Sequence, residues 1–319
     1  MPPTLKQLRA KLLASQPAVV VPPTLSLSQQ ADLTTINDSK LFNAQKPHWH
    51  RHFTCPTATI KTHRKQTIKG LVSDLNNSKA MDIAFDIFNC SKSKPCRSPF
   101  CPYCRYNIQD NAATTCHQLF SNSPAKDLCF LTVLLPVTYH PQNDVSKIIQ
   151  SCRKSISSIF NYRNYTDIVL SGFFEVDIKI PALVKNKPRS LEVLTALDFD
   201  EFNNQPAYLV HFHALVDLKG HSKAAFRKSL VRTFNKIYQI RLSALHSKSS
   251  KNDNIKNIAR YMLKFRTQHA NNLFGNQVTG KATYGKFFGN NMLRSYVTLV
   301  HSLLVQNNIS SLSINKNVP

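Results

Sequence analysis

Three stretches of this chain carry long, nearly unbroken apolar runs. The run 127-DLCFLTVLLPVT-138 reads as a buried strand that Pro136 brings to its end. The stretch 167-DIVLSGFFEVDIKI-180 reads as a second strand, with apolar and polar positions alternating in its later half. The third, 207-AYLVHFHALVDL-218, is apolar except for His211, His213 and its acidic end. Alternate side chains of a strand point to opposite faces, so His211 and His213 share one face while Phe212, Ala214 and Val216 share the other. Helical spacing predicts helices over 68–89, 108–123, 144–164 (with Asp144 as N-cap), 222–238, 254–270 and 291–306, and a short one at 4–15. A short strand is expected at 239–245, and 181–206 reads as a loop or a long hairpin tip.

The two middle strands follow one another without a helix between them, which favours an antiparallel pair. The chain is therefore expected to be α+β, an antiparallel sheet with helices packed against it. Residues 1–45 read as a flexible basic arm, 46–107 as a cysteine- and histidine-rich region, 108–306 as the main domain and 307–319 as a polar tail.

Charge narrows the partner. There are 41 Lys and Arg against 17 Asp and Glu, a net +24. Such an excess suits a polyanion, nucleic acid first. A membrane surface is the alternative, but the sequence has no strongly amphipathic basic helix and no apolar run of about 18 residues, so no membrane partner is expected. A merely solubilising surface is the bland reading. Prolines interrupt the short apolar pieces of the first 30 residues, so no secretory signal is read and a cytoplasmic chain with reduced thiols is expected.

The 8 cysteines then need a role other than disulfides. Cys101 and Cys104 form a C-x-x-C pair at a turn marked by Pro102, and Cys90 and Cys96 complete four candidate ligands for a structural Zn²⁺. A reduced cluster without metal is the other reading. His48, His50, His52 and Cys55, beside Trp49, are further candidate ligands or a solvated basic loop.

Glu175 and Asp177 share one face of their strand. If that strand lies beside the histidine strand, Glu175 sits across from His211 or His213. Two imidazoles and a carboxylate form a three-ligand site for Mg²⁺ or Mn²⁺ with positions left open for substrate oxygens. On the 254–270 helix, Tyr261 and Lys264 are three apart and so on one side. A tyrosine hydroxyl, titrating near about 10 in model peptides, becomes a nucleophile when a cation stabilises its anion. Each feature alone is more often structural: a polar strand face, an ordinary helix tyrosine, a solvated lysine.

Their order is more specific. The stretches 130-FLT-132, 172-GFFEVDI-178, 211-HFH-213 and 261-YMLK-264 follow one another as in the HUH endonucleases, and the chain most resembles their rolling-circle plasmid replication initiators. The segment 96-CRSPFCPYCRYN-107 resembles a cysteine-rich segment that precedes the catalytic core of those proteins. The resemblance spans roughly residues 90–270 and implies an HUH endonuclease-like fold with a nicking domain at 108–306. It implies that Glu175, His211 and His213 hold the metal. Tyr261 is expected to cut single-stranded or melted plasmid origin DNA in the bacterial cytoplasm, staying linked to the 5′ phosphate. The released 3′ hydroxyl primes host DNA polymerase, with a host helicase opening the duplex, and the displaced strand is later rejoined. Lys264 is expected to assist at the phosphate or to position the metal site.

Some members carry a glutamate one turn before the tyrosine. Here Asn257 stands there, and an amide is no general base. Asp253 lies a further turn away, and Tyr284 and Tyr296 are candidates for a second tyrosine. A transposase or relaxase of the same superfamily is a second enzyme reading, though relaxases usually place the tyrosine before three histidines. A zinc-containing DNA-binding regulator without catalysis is the third. Trp49, Tyr103 and Tyr106 are candidates for base stacking as well as for core packing.

Overall fold

The computed structural model describes residues 57–91, 93–161, 165–184, 187–236, 238–265, 267–270, 284–307 and 313–317. The arm at 1–45, its helix at 4–15, and Trp49, His48, His50, His52 and Cys55 lie outside these residues.

Three eleven-residue strands frame the fold: β1 (Leu128–Thr138), β2 (Val169–Lys179) and β3 (Ala207–Asp217). They lie where the apolar runs predict them. Two short strands, β4 (Ile240–Ala244) and β7 (Ser313–Lys316), complete a five-stranded sheet in the order β4-β1-β3-β2-β7, with every neighbour antiparallel. The chain is thus α+β, with helices against an antiparallel sheet. Within the stretch read simply as a polar tail, Ser313–Lys316 pairs with β2 at its outer edge.

The remaining elements are α1 (Thr57–Leu71), α2 (Ser78–Asn89), α3 (Pro102–Phe120), α4 (Pro141–Asn161), α5 (Pro181–Val184), α6 (Pro188–Thr195), α7 (Lys223–Phe234), α8 (Lys251–Met262), the small β5 (Gln268–Ala270) and β6 (Tyr284–Phe287) pair, and α9 (Asn290–Asn307). The single helix expected over 68–89 is two, because Asn77 accepts from the Ala80 N–H and starts α2 afresh. The expected loop at 181–206 contains α5 and α6. Pro188 at the start of α6 suits a position where the missing N–H costs nothing. The helix expected over 254–270 begins at Lys251 and ends at Met262. Residues 55–319 make one compact unit, and α3 runs across position 107 without a break.

The central strand β3 is buried along its whole length, so both sheet faces are covered. Tyr208, Val210, Phe212, Ala214 and Val216 join the main core with Val145, Ile149, Cys152 and Ile156 of α4 and Phe226 and Leu230 of α7. Each large side chain buried this way contributes about 1.5–3 kcal/mol. The opposite face is covered in two separate pieces. At one end, α3 and α8 lay Ala113, Cys116, Ile255, Ala259 and Met262 over Leu128 and Leu215. At the other, Val184, Val193 and Leu194 cover Leu134 and Leu209. A register shift in β1 between Leu134 and Val137, around Pro136, brings both residues into this second piece. Between the two apolar pieces the same face carries Glu175, Asp177, His211 and His213, all buried.

Candidate functional site

Strand register assembles the polar patch. Glu175 pairs across the ladder with His211, and His213 sits between Phe173 and Thr132 on its two neighbours. The side-chain contact of Glu175 is with the other histidine: His213 Nε2 lies 3.2 Å from Glu175 Oε2. Thr132 Oγ1 holds the opposite ring nitrogen, Nδ1, at 3.1 Å, which fixes the ring's orientation. Phe130 stacks on the His213 ring with centroids 5.6 Å apart. Phe130 and Thr132 stand in the FLT stretch, but their support of His213 depends on the β1–β3 register, which the sequence alone does not state.

His211 is buried at 6% exposure, and its Nε2 has no hydrogen-bond partner among the described residues. Burial pushes its pKa down to about 3, more than the Glu175 and Asp177 carboxylates pull it back up. A neutral imidazole with an idle nitrogen in a buried site is a ready ligand. One donor atom from each of Glu175, His211 and His213 lies within 4.8 Å of the others. Two imidazole nitrogens and a carboxylate are together a donor set able to hold a divalent metal ion. Asp177 lies two residues on along the same strand, tied to Lys179 at 2.6 Å in a buried ion pair.

Tyr261 and Lys264 come to this patch by a route the sequence did not indicate. α8 stops at Met262, and the cap residue Leu263 returns its N–H to the Arg260 carbonyl. Lys264 therefore lies beyond the helix, not on its surface. The turn folds it back so that Nζ lies 3.1 Å from the Tyr261 ring centroid and 3.2 Å from Glu175 Oε2. The Tyr261 ring stands edge-on to His213 at 5.3 Å and to Phe130 at 5.7 Å. At 42% exposure Tyr261 is open to a large substrate, whereas the three residues behind it are buried.

The other candidates separate from the site. Asn257 is exposed on α8. Asp253 caps the start of that helix with Ser250, whose hydroxyl donates to it at 2.7 Å. Tyr296 is fully buried and its hydroxyl donates to the Val176 carbonyl at 3.1 Å, so it is not available as a second nucleophile. The side chain of Tyr284 falls outside the described positions. Tyr103 lies under the Arg64 guanidinium, 5.6 Å from ring centroid to Cζ, and packs against the main core.

The four cysteines do meet. The sulfurs of Cys90, Cys96, Cys101 and Cys104 all lie within 4.8 Å of one another. Cys104 Sγ is 3.5 Å from Cys90 Sγ and 3.6 Å from Cys96 Sγ. Backbone N–H groups point at the sulfurs, from Cys96 to Cys90 at 3.4 Å and from Arg97 to Cys104 at 3.2 Å. Cys101 is the N-cap of α3 and Cys104 lies in its first turn, where the helix dipole favours thiolate. Thiol hydrogen bonds from Cys104 and Cys96 hold Cys101 down to about 2, while Cys104 is pushed up to about 12 and Cys96 is raised as well. Clustered thiolates repel one another, a soft dication relieves that repulsion, and a tetrahedral thiolate set suits Zn²⁺. The cluster and the triad are thus two separate groups able to hold a metal. Cys116, Cys129 and Cys152 are buried singly elsewhere. Within the described residues no helix is long and apolar enough to cross a membrane. Comparisons of the chain with models of known protein families, with curated proteins and with solved structures find no match in any of the three.

Proposed function

We propose that this chain is a tyrosine nickase of the HUH endonuclease type that initiates rolling-circle replication of a plasmid. The observation that carries the reading is the meeting of an exposed tyrosine and a lysine with a buried His-His-Glu triad, in a chain of net charge +24. Glu175, His211 and His213 hold the divalent ion. Bound there, Mg²⁺ or Mn²⁺ supplies Lewis-acid polarisation of a phosphodiester oxygen.

The chain's own groups do the rest. Tyr261 Oη forms a bond to phosphorus as the bond from phosphorus to the 3′ oxygen breaks. The phenol gives up its proton, and the departing oxygen takes one to become a 3′ hydroxyl. The product is a 5′-phosphotyrosine link. Lys264, beside the tyrosine, stabilises charge developing on the phosphate. Thr132 and Phe130 keep the His213 ring in place. Rejoining is the reverse: a 3′ hydroxyl attacks the phosphotyrosine and releases Tyr261. The substrate is origin DNA, single-stranded or melted, in the cytoplasm of a bacterial host whose helicase and polymerase extend the primer. The thiolate cluster holds a structural Zn²⁺, and basic residues grip phosphates with a salt-dependent affinity.

The test is incubation of the purified protein with Mn²⁺ and labelled single-stranded oligonucleotides from its own replicon's origin, beside Tyr261→Phe. A covalent adduct is expected in wild type, absent in the variant and blocked by chelator. Tight binding with no adduct on any origin segment would leave a non-catalytic, zinc-containing DNA-binding protein instead.

A further inference from the structure

We propose that Gln109 and Arg105 on α3 are positioning residues that set Tyr261 and Lys264 against the triad. The inference rests on the nickase reading of that site. It begins with the way α8 ends. The last carbonyls of any helix lack partners within the helix, and here they flank the two residues of interest. Gln109 Nε2 donates to the Leu263 carbonyl at 2.8 Å and to the Arg260 carbonyl at 3.3 Å. Arg105 donates through Nη1 to the Phe265 carbonyl at 3.2 Å. Next to Gln109, Asp110 accepts from the Arg260 guanidinium at 2.7 Å. One face of α3 therefore grips the backbone at 260, 263 and 265, around Tyr261 and Lys264.

The grip is needed because the turn is not relaxed. Phe265 has φ +38°, a left-handed conformation that a side chain with a Cβ adopts only when its surroundings impose it. Its ring packs edge-on to Phe100, centroids 6.2 Å apart, and its carbonyl is the one Arg105 holds. These donors fix the backbone on both sides of Lys264 while its ammonium meets the tyrosine ring and Glu175. Neither Gln109 nor Arg105 bears on the triad directly; they act through the backbone of the turn.

The test uses the full chain carrying Gln109→Glu, which keeps the side chain's shape and removes its donor, and Gln109→Leu. Three quantities are measured: the single-turnover rate of adduct formation at saturating oligonucleotide with Mn²⁺, the oligonucleotide Kd, and amide hydrogen exchange. Both variants should lose about tenfold to hundredfold in rate. Their Kd should stay within about twofold, with faster exchange over 260–265 and unchanged exchange in β1–β3. The proposal is overturned if Gln109→Glu keeps the wild-type rate, whatever Gln109→Leu does, since the side chain would then act by packing. It is also overturned if the rate falls together with protection of the sheet. If wild type itself forms no adduct, the nickase reading fails, and exchange decides the tie alone: unchanged protection over 260–265 in Gln109→Glu refutes it, lost protection upholds it.

Discussion

Replacing Gly172 by alanine tests how tightly the strands that carry Glu175 and the two histidines are held together. Gly172 lies in β2 opposite Ala214 of β3, three residues before Glu175. A Cβ there would stand 2.6 Å from each of three atoms: the Ala214 Cβ, the His213 carbonyl oxygen and Cζ of Phe212. Ordinary contact begins at 3.4 Å, so the strands must part by the difference, about 0.8 Å. The Phe212 ring is fully buried, and a ladder carbonyl has nowhere to go. Overpacking of this kind costs about 1–3 kcal/mol, which at this chain length lowers Tm by about 2–5 °C. The sign is diagnostic, because alanine for glycine in an uncrowded strand interior is stabilising by about 0.5–1 kcal/mol. The same parting carries Glu175 away from His213 and Lys264, both now 3.2 Å from its Oε2. Mn²⁺ affinity should drop about tenfold or more, as it does when ligand orientation is disturbed. Melting followed by circular dichroism and Mn²⁺ titration calorimetry read the two effects. A Tm equal to or above wild type, with Mn²⁺ affinity unchanged, would refute the reasoning.

Three further outcomes are expected. Protein purified from zinc-supplied cells should carry about one zinc per chain by mass spectrometry, and Cys101→Ser should lose it and melt earlier; zinc-free protein whose Tm ignores chelators would rule this out. Lys264→Met should slow adduct formation about a hundredfold or more with little change in oligonucleotide Kd, and an unchanged rate would remove the lysine from the reaction. In the metal-free protein, burial holds His211 down to about 3 from an ordinary 6.5. The unfolded chain therefore takes up the proton first, and stability present above the unfolded value is lost as pH falls toward the folded one. Melting at about pH 7 and about pH 5 should show this slope in wild type and a flatter one in His211→Gln; equal slopes would contradict it.

The three long strands were legible because each is a run of apolar residues too long and too β-branched for a surface loop. Parity puts Glu175 and Asp177 on one face of their strand and the two histidines on one face of theirs, since side chains alternate with a period of two; that the strands are neighbours comes from the β2–β3 ladder. The choice of contact between Glu175 and His213 depends on rotamers as well as register, and parity does not reach it. α1 was legible only from residue 68 on, because TATIKTHRKQTIKGL is mostly polar; it packs through its last turns, with Leu71 fully buried. The end of α8 went unread because KFR continues the apolar spacing and no glycine or proline marks the stop. What ends the helix is a set of donors from α3, some 150 residues away in sequence. β7 is four residues in a polar tail and acquires strand structure only by pairing with β2.

The seam between α3 and the end of α8 also has a mechanical meaning. Under the proposed function, a DNA strand tethered to Tyr261 would be pulled whenever a motor works on it. That load enters at the last turn of α8, and the shortest way out runs through the Arg260–Asp110 ion pair and the Gln109 and Arg105 hydrogen bonds into α3. α3 is anchored at its N-terminus in the cysteine cluster and along its length in the sheet's apolar cover. Tension would thereby be shared with a nineteen-residue strut, and the sheet that carries the histidines would not take it alone.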